Sequence, residues 1–216
     1  ISATDLAGND IAAAHTTLDT DASGVTIDTI LPTITSATIA SDNTTTTLAK
    51  ATETVTLTIV ASEDIASPTV TFQSGSADIS GNVTVTQGAD AQNWTAAYTV
   101  DASDTDGTVT FSISATDLAG NDISNNHTSL DTNASGVTVD TTGPAIKQDA
   151  SNNDILTVVS DNSSDTSLAK ATETVTLTFT ASEKLHGTAT SNTVVFKVGT
   201  GSAKTAVNLA QGDNYD

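Results

Sequence analysis

Between Thr54 and Ala61 the chain reads TVTLTIVA, with Val55, Leu57 and Ile59 on one face and Thr54, Thr56 and Thr58 on the other. A period of two sends successive side chains to opposite faces, so this stretch predicts a half-buried strand. The same alternation recurs between polar, turn-rich segments. Thr33 to Ala40 predicts a strand A, and Thr54 to Ala61 is strand B. Pro68 to Gln73 gives strand C, with Val70 and Phe72 inward, and Asn82 to Thr86 gives strand D. Asn93 to Val100 gives strand E, with Trp94, Ala96, Tyr98 and Val100 on one face. Thr108 to Ala115 gives strand F, with Val109, Phe111 and Ile113 inward, and Ser135 to Asp140 gives strand G. Loops are expected over 41–53, 75–81 and 116–134. Seven short strands in about 110 residues is the pattern of an all-β, immunoglobulin-like Greek-key β-sandwich.

The pattern repeats. Ile113 to Pro144, ISATDLAGNDISNNHTSLDTNASGVTVDTTGP, restates Ile1 to Pro32, ISATDLAGNDIAAAHTTLDTDASGVTIDTILP, without a gap. Leu168 to Glu183, LAKATETVTLTFTASE, restates Leu48 to Glu63, with extra residues around Lys147 to Ile155. Self-similarity on this scale marks a tandem array. The expected organisation is therefore three pieces. Residues 1–31 carry the end of strand F and strand G (Ser23 to Thr29) of a preceding repeat. Residues 32–143 form one complete repeat, and 144–216 carry strands A to D of the next, with Ser191 to Gly199 as its strand C. Two accounts fit such split ends: a window on a longer repetitive polymer, or strands exchanged between chains.

Composition narrows the class. Ser and Thr make up roughly a third of the residues, and aromatics only 3%. The β-branched residues favour strands, and the core is expected to be thin. The 26 acids face 6 basic residues, all lysine, for a net charge of −20. Such a surface offers no phosphate-binding patch, so nucleic acid is not an expected partner. The self-repulsion calls for screening by salt or neutralisation by divalent cations. Cysteine is absent, which removes disulfides and thiol chemistry. No apolar run is long enough for a transmembrane helix.

In an antiparallel sandwich the B–C, D–E and F–G turns share one pole with the incoming linker. The A–B, C–D and E–F turns share the other with the outgoing linker. That places Glu63 and Asp64 (end of strand B), Asp117, Asn121 and Asp122 (the TDLAGND loop) and the linker residue Asp28 at the first pole. Asp42, Asp101, Asp104 and Asp106 gather at the second, beside Asp140 of the outgoing linker and facing Glu183 of the next repeat. Oxygen-rich sets of this kind suit Ca²⁺, which takes six to eight oxygen ligands. The competing reading of each acid is a turn residue, since Asp, Asn and Gly close turns through local hydrogen bonds. The EF-hand spacing is absent.

The pair SATDLAGN and GVTVDTTGP, with TVTLTFTASE on strand B, resembles the tandem bacterial immunoglobulin-like repeats of very large surface adhesins and extracellular fibres. The resemblance spans the whole chain. It implies an extracellular or cell-surface stalk that projects a binding tip, with calcium at the linkers as a stiffening element. TDLAGND, Asp28 and Asp140 are the positions that match the family's loop and linker.

Other constellations point to little chemistry. His15 and His127 occupy equivalent loop positions and His186 stands apart, which makes no catalytic or zinc set. No nucleophile–base grouping and no phosphate loop is present, so an enzyme is not expected. Lys50 and Lys170 each precede a glutamate by three residues. An isopeptide crosslink would need a buried lysine, and both lie in expected surface loops. Sequons at Asn43, Asn82, Asn93, Asn126, Asn133 and Asn162 match what a Ser-, Thr- and Asn-rich chain gives by chance. The first functional expectation is a spacer in an adhesin stalk or fibre, its partners the neighbouring repeats of its own chain. The alternatives are a subunit of a self-assembling extracellular filament or sheath with interchain strand complementation, and a carbohydrate, ice or receptor binding module.

Overall fold

A computed structural model describes residues 1–11, 24–185, 194–197 and 204–205. His15, His186 and most of the expected strand at 191–199 lie outside the described residues. The described part is all-β, with one short 3-10 turn at Ser80–Asn82. The chain divides into two compact units, Ile1–Thr141 and Thr142–Asp216.

The first unit holds two sheets. One is four-stranded and antiparallel: β1 (Ile34–Ser41), β3 (Thr54–Ala61), β7 (Asn93–Thr99) and β6 (Thr84–Gln87), in that spatial order. The other runs β2 (Leu48–Ala49), β9 (Thr138–Val139), β8 (Gly107–Ser114), β4 (Thr69–Ser74) and β5 (Ala77–Asp78). The strands exist where apolar and polar residues alternate, and each buries the expected face. Val55, Leu57 and Ile59 of β3, Val70 and Phe72 of β4, Trp94, Ala96 and Tyr98 of β7, and Val109, Phe111 and Ile113 of β8 are all buried in one core. Phe72, Leu57, Ile59 and Ile113 are completely enclosed. These facing apolar layers make a β-sandwich, in which side chains of the two inner faces interdigitate.

Several local expectations need correcting. The loop 41–53 carries β2, which pairs in parallel with β9. The reason lies in the turn around it. Asp42 Oδ1 accepts the Thr54 N–H at 2.8 Å, and Glu53 Oε2 accepts the Lys50 N–H at 2.9 Å and an Asn43 amide hydrogen at 2.8 Å. Those caps hold Leu48 and Ala49 extended against the second sheet. Strand G is only two residues long, Thr138–Val139, and Thr138 and Asp140 donate their N–H groups to Thr47 and Ala49 across the β2 pairing. The loop at 75–81 contains β5, and strand D shifts to Thr84–Gln87 behind the 3-10 turn. The loop 116–134 is fastened, not free. His127 exchanges both backbone hydrogen bonds with Ile113, and Asp131 accepts from Ser36 Oγ and Ala37 N on β1. Gly24 to Thr29 is not in a strand, and Val25 is 94% exposed.

In the second unit, β10 (Leu156–Ser160) pairs antiparallel with β11 (Val175–Phe179), and β12 (Val195–Phe196) with β13 (Lys204–Thr205). The register Ser160↔Val175 restates Ser41↔Val55 of the first unit. The capping turn is restated too: Glu173 Oε2 accepts the Lys170 N–H at 2.8 Å and an Asn162 amide hydrogen at 3.3 Å. The extra residues near Lys147 to Ile155 form a closed excursion from the first strand. Lys147 and Ile155 rejoin where Ile155 donates its N–H to Lys147 O at 2.7 Å.

Candidate metal centre

Three segments meet at one pole of the first unit, and backbone pairing fixes each. The linker is pinned to the end of β3, where Ser62 donates its N–H to Thr33 O at 2.9 Å and Thr33 donates to Ser62 Oγ at 3.0 Å. Pro32, just before, is fully buried. The segment after β3 meets the TDLAGND loop through an antiparallel bridge between Ile65 and Asp117, and Ala66 donates to Thr116 O at 2.8 Å. The turn after β6 joins the same end, with Ile65 N–H to Ala91 O at 3.0 Å.

This convergence brings one carboxylate oxygen from each of Asp28, Glu63 and Asp117 within 4.8 Å of one another. It is the one such group of three among the described residues. Asp117 is buried and organises its own loop: Oδ1 accepts the N–H groups of Ala119, Gly120 and Asn121 at 2.7 to 2.8 Å. Gly120 adopts the positive φ of 96° that this turn requires. Burial pushes the Asp117 carboxyl up, but hydrogen bonds from the Asn121 side chain and from three backbone N–H groups outweigh it and leave the pKa lowered. Asp117 is therefore held as a carboxylate. Glu63 is shifted the other way, first by burial and then by the like charges of Asp28 and Asp117. The set resists its own negative charge, which is the electrostatic condition a bound cation relieves.

Asn121 enters as a brace. Its Nδ2 donates to Asp117 Oδ2 at 2.7 Å and reaches the linker carbonyls of Asp28 at 3.3 Å and Ile30 at 3.4 Å. Asp28 Oδ1 accepts the Ile30 N–H at 3.0 Å, which turns the linker locally. Asp122 stands outside the cluster. It is exposed and accepts the Thr116 hydroxyl at 2.9 Å, closing the base of the turn. Asp64 is exposed and outside it as well.

The acids expected at the opposite pole are used as caps. Asp104 Oδ2 accepts the Tyr98 hydroxyl at 2.5 Å and the Asp101 N–H at 2.8 Å. Burial, and then the hydrogen bond and charge of Asp104, push the Tyr98 phenol up to about 12. Asp106 Oδ1 accepts both the N–H and the hydroxyl of Thr141, at 2.7 and 2.8 Å. Asp140 is exposed, with its N–H on Ala49 O, and belongs to the first unit; Glu183 is half-buried in the second. The sequence reading thus located the Asp28, Glu63 and Asp117 convergence. It did not anticipate the hydrogen bonds that Asp104 accepts from Tyr98 and Asp106 from Thr141.

One element went unread. The excursion in the second unit, QDASNND, is another TDLAGND-type turn: Asp149 Oδ1 accepts from Ser151 N at 2.8 Å and Asn153 N at 3.0 Å, and Gln148 bridges Asp154. Asp5 and Asn9 build the same turn, with Thr4 bridging Asp10. The shared signal is an Asp followed four and five residues later by Asn-Asp, with Gly or Asn at positive φ three residues after the Asp.

Comparison with protein-family models, curated proteins and solved structures returned no match. Among the described residues no helix is long and apolar enough to cross a membrane.

Proposed function

We propose that this chain is a structural segment of an extracellular bacterial adhesin stalk or fibre, made of tandem immunoglobulin-like repeats that act as spacers. Strand order supports the sandwich type. The sheets β1-β3-β7-β6 and β2-β9-β8-β4 correspond to strands A-B-E-D and to an A-strand extension followed by G-F-C. This is the division of strands in immunoglobulin-like sandwiches. The restated LAKATETVTLT segment, with its matching strand register and cap in the second unit, supports the tandem reading. In such arrays each repeat contacts only its neighbours, and length is the useful property. The role needs no catalysis, and no nucleophile–base grouping in the sequence suggests any.

The observation that carries the functional half is the carboxylate cluster Asp28, Glu63 and Asp117. Its donors are hard oxygens from three chain segments, one of them the linker, which fits Ca²⁺ better than a soft or redox metal. Calcium held there would neutralise the cluster and tie the linker to the two loops. Removing it with EDTA is expected to lower the melting temperature and shorten the mean end-to-end length in solution scattering. Asp117→Asn should abolish both responses to calcium. If EDTA changes neither quantity, the calcium role fails and the spacer role stands.

A further inference from the structure

The segment that enters the first unit and the segment that leaves it are fastened to each other. β1 enters beside the end of β3, where Ile34 pairs with Ala61. β9 lies against the first residues of β8, Gly107 and Thr108, while the far end of β8 leads to Asp117, bridged to Ile65 just after β3. The chain therefore enters the unit at one pole and leaves it at the other. Asp131, in the leaving segment, accepts the Ser36 hydroxyl at 2.6 Å and the Ala37 N–H at 2.9 Å, and donates its own N–H to Ala37 O at 3.0 Å. Further along, β2 and β9 lie parallel, and Thr138 and Asp140 donate to Thr47 O and Ala49 O, each at 2.9 Å. Ser41 closes the turn between β1 and β2: its N–H donates to Thr46 O at 2.9 Å and its hydroxyl to Leu48 O.

We infer that the first unit is a shear clamp, a repeat that bears tension along the chain as well as spanning distance. Tension between its two linkers draws β1 towards the entry pole and β9 towards the exit pole, along the strand axes. Ladder hydrogen bonds run across the strands, so this sliding loads the β1–β3 pairs, the Asp131 tie and the β2–β9 tie together. Drawing paired strands apart from one end would break the same bonds one at a time. Asp131 takes a large share, because it joins the two loaded segments directly and hydrogen bonds to a carboxylate are stronger than neutral ones. The inference rests on the stalk reading for its use, since a stalk transmits the pull on its tip, and not for its measurement.

The test is single-molecule pulling of the full chain at constant force, through cysteine handles that no native cysteine confuses. Thr29→Cys with Gly143→Cys loads the unit from pole to pole; both positions are exposed, and a side chain at 143 meets open space. Thr29→Cys with Asp64→Cys puts both handles at the entry pole and opens the β1–β3 ladder from its end. Working in EDTA keeps the outcome independent of any cation. At equal force, pole-to-pole loading should unfold the unit at least about tenfold more slowly, because several bonds must break at once. Asp131→Ala, which removes two hydrogen bonds to the carboxylate, should speed pole-to-pole unfolding about tenfold. Val70→Ala, a core truncation in β4 away from both segments, controls for lost stability: at an equal or greater loss in urea it should speed unfolding under load less. Equal rates for the two loading directions would overturn the inference. So would a folded Asp131→Ala chain that unfolds under load no faster than Val70→Ala. The loading comparison keeps Asp131 and decides the matter if that variant does not fold. Failure of the clamp leaves the stalk reading standing, because length and its response to calcium are measured without load.

Discussion

The same leucine stands at Leu57 and Leu177, each in the middle of TVTLT, and the two should respond very differently to truncation. Leu57 is fully enclosed, between Ile39 on β1 and Ala96 on β7, under the second sheet. Leu57→Ala removes its transfer free energy and leaves a cavity whose walls are β-sheet and cannot collapse. The expected cost is about 3 kcal/mol. Leu177 pairs with Val158 on one side and is only half-buried. Its truncation loses part of the transfer term and opens no closed cavity, so about 1 kcal/mol or less is expected. The assay is urea denaturation followed by the fluorescence of Trp94. As the only tryptophan it reports the first unit alone, being paired with Ile59 in the core. Leu57→Ala should move that transition strongly and lower its melting temperature by roughly 10 °C. Leu177→Ala should leave it in place. A cost below about 1 kcal/mol for Leu57→Ala would refute the enclosure of Leu57, and a shift of the Trp94 transition by Leu177→Ala would refute independent unfolding of the two units.

Two further outcomes follow from the capping turn. Thr52 and Thr172 are β-branched residues at φ 75° and 79°, a left-handed conformation that costs energy for such side chains. Thr52→Gly should therefore raise first-unit stability by about 0.5–1 kcal/mol in the same urea assay, net of the added backbone entropy of the unfolded glycine; destabilisation would show that the threonine is not strained. The Lys50 side-chain hydrogen bond, with the Lys50 N–H and the Asn43 amide behind it, lowers the Glu53 carboxyl from 4.5 to about 2. A depressed carboxyl stabilises the fold above its ordinary value and loses that contribution as pH falls from about 4.5 towards 2. Glu53→Gln should flatten this part of the pH–stability curve, and an NMR titration of the Glu53 carboxyl carbon that gives an ordinary midpoint would contradict the cap.

Lys50 also bears on covalent chemistry. Its side chain is 66% exposed and ion-paired with Glu53 at 2.9 Å, an arrangement that stabilises an exposed turn and lacks the burial an isopeptide bond requires.

Much of this fold was legible before any coordinates. Alternation with period two named the inward residues of β3, β4, β7 and β8, because burial of one sheet face leaves only one choice of side for each residue. The repeated phrases marked corresponding segments, and the pole argument brought Asp28, Glu63 and Asp117 together, since antiparallel strands alternate direction and their turns alternate ends. What the alternation could not carry were features set by partners distant in sequence. The two-residue β2 exists only because β9 lies alongside it in parallel, and a two-residue strand has no period to read. Asp104 and Asp106 differ from Asp117 in what the tertiary fold sets beside them: a tyrosine hydroxyl and a threonine in two cases, and in the third two further carboxylates next to a turn that donates its own N–H groups. The contrast between Val55 and Val175 is the plainest instance. The shared sequence TVTLT forms a strand in both units, but the burial of Val55 comes from β1 and β7 on either side of it and from the second sheet above, partners that no local sequence announces.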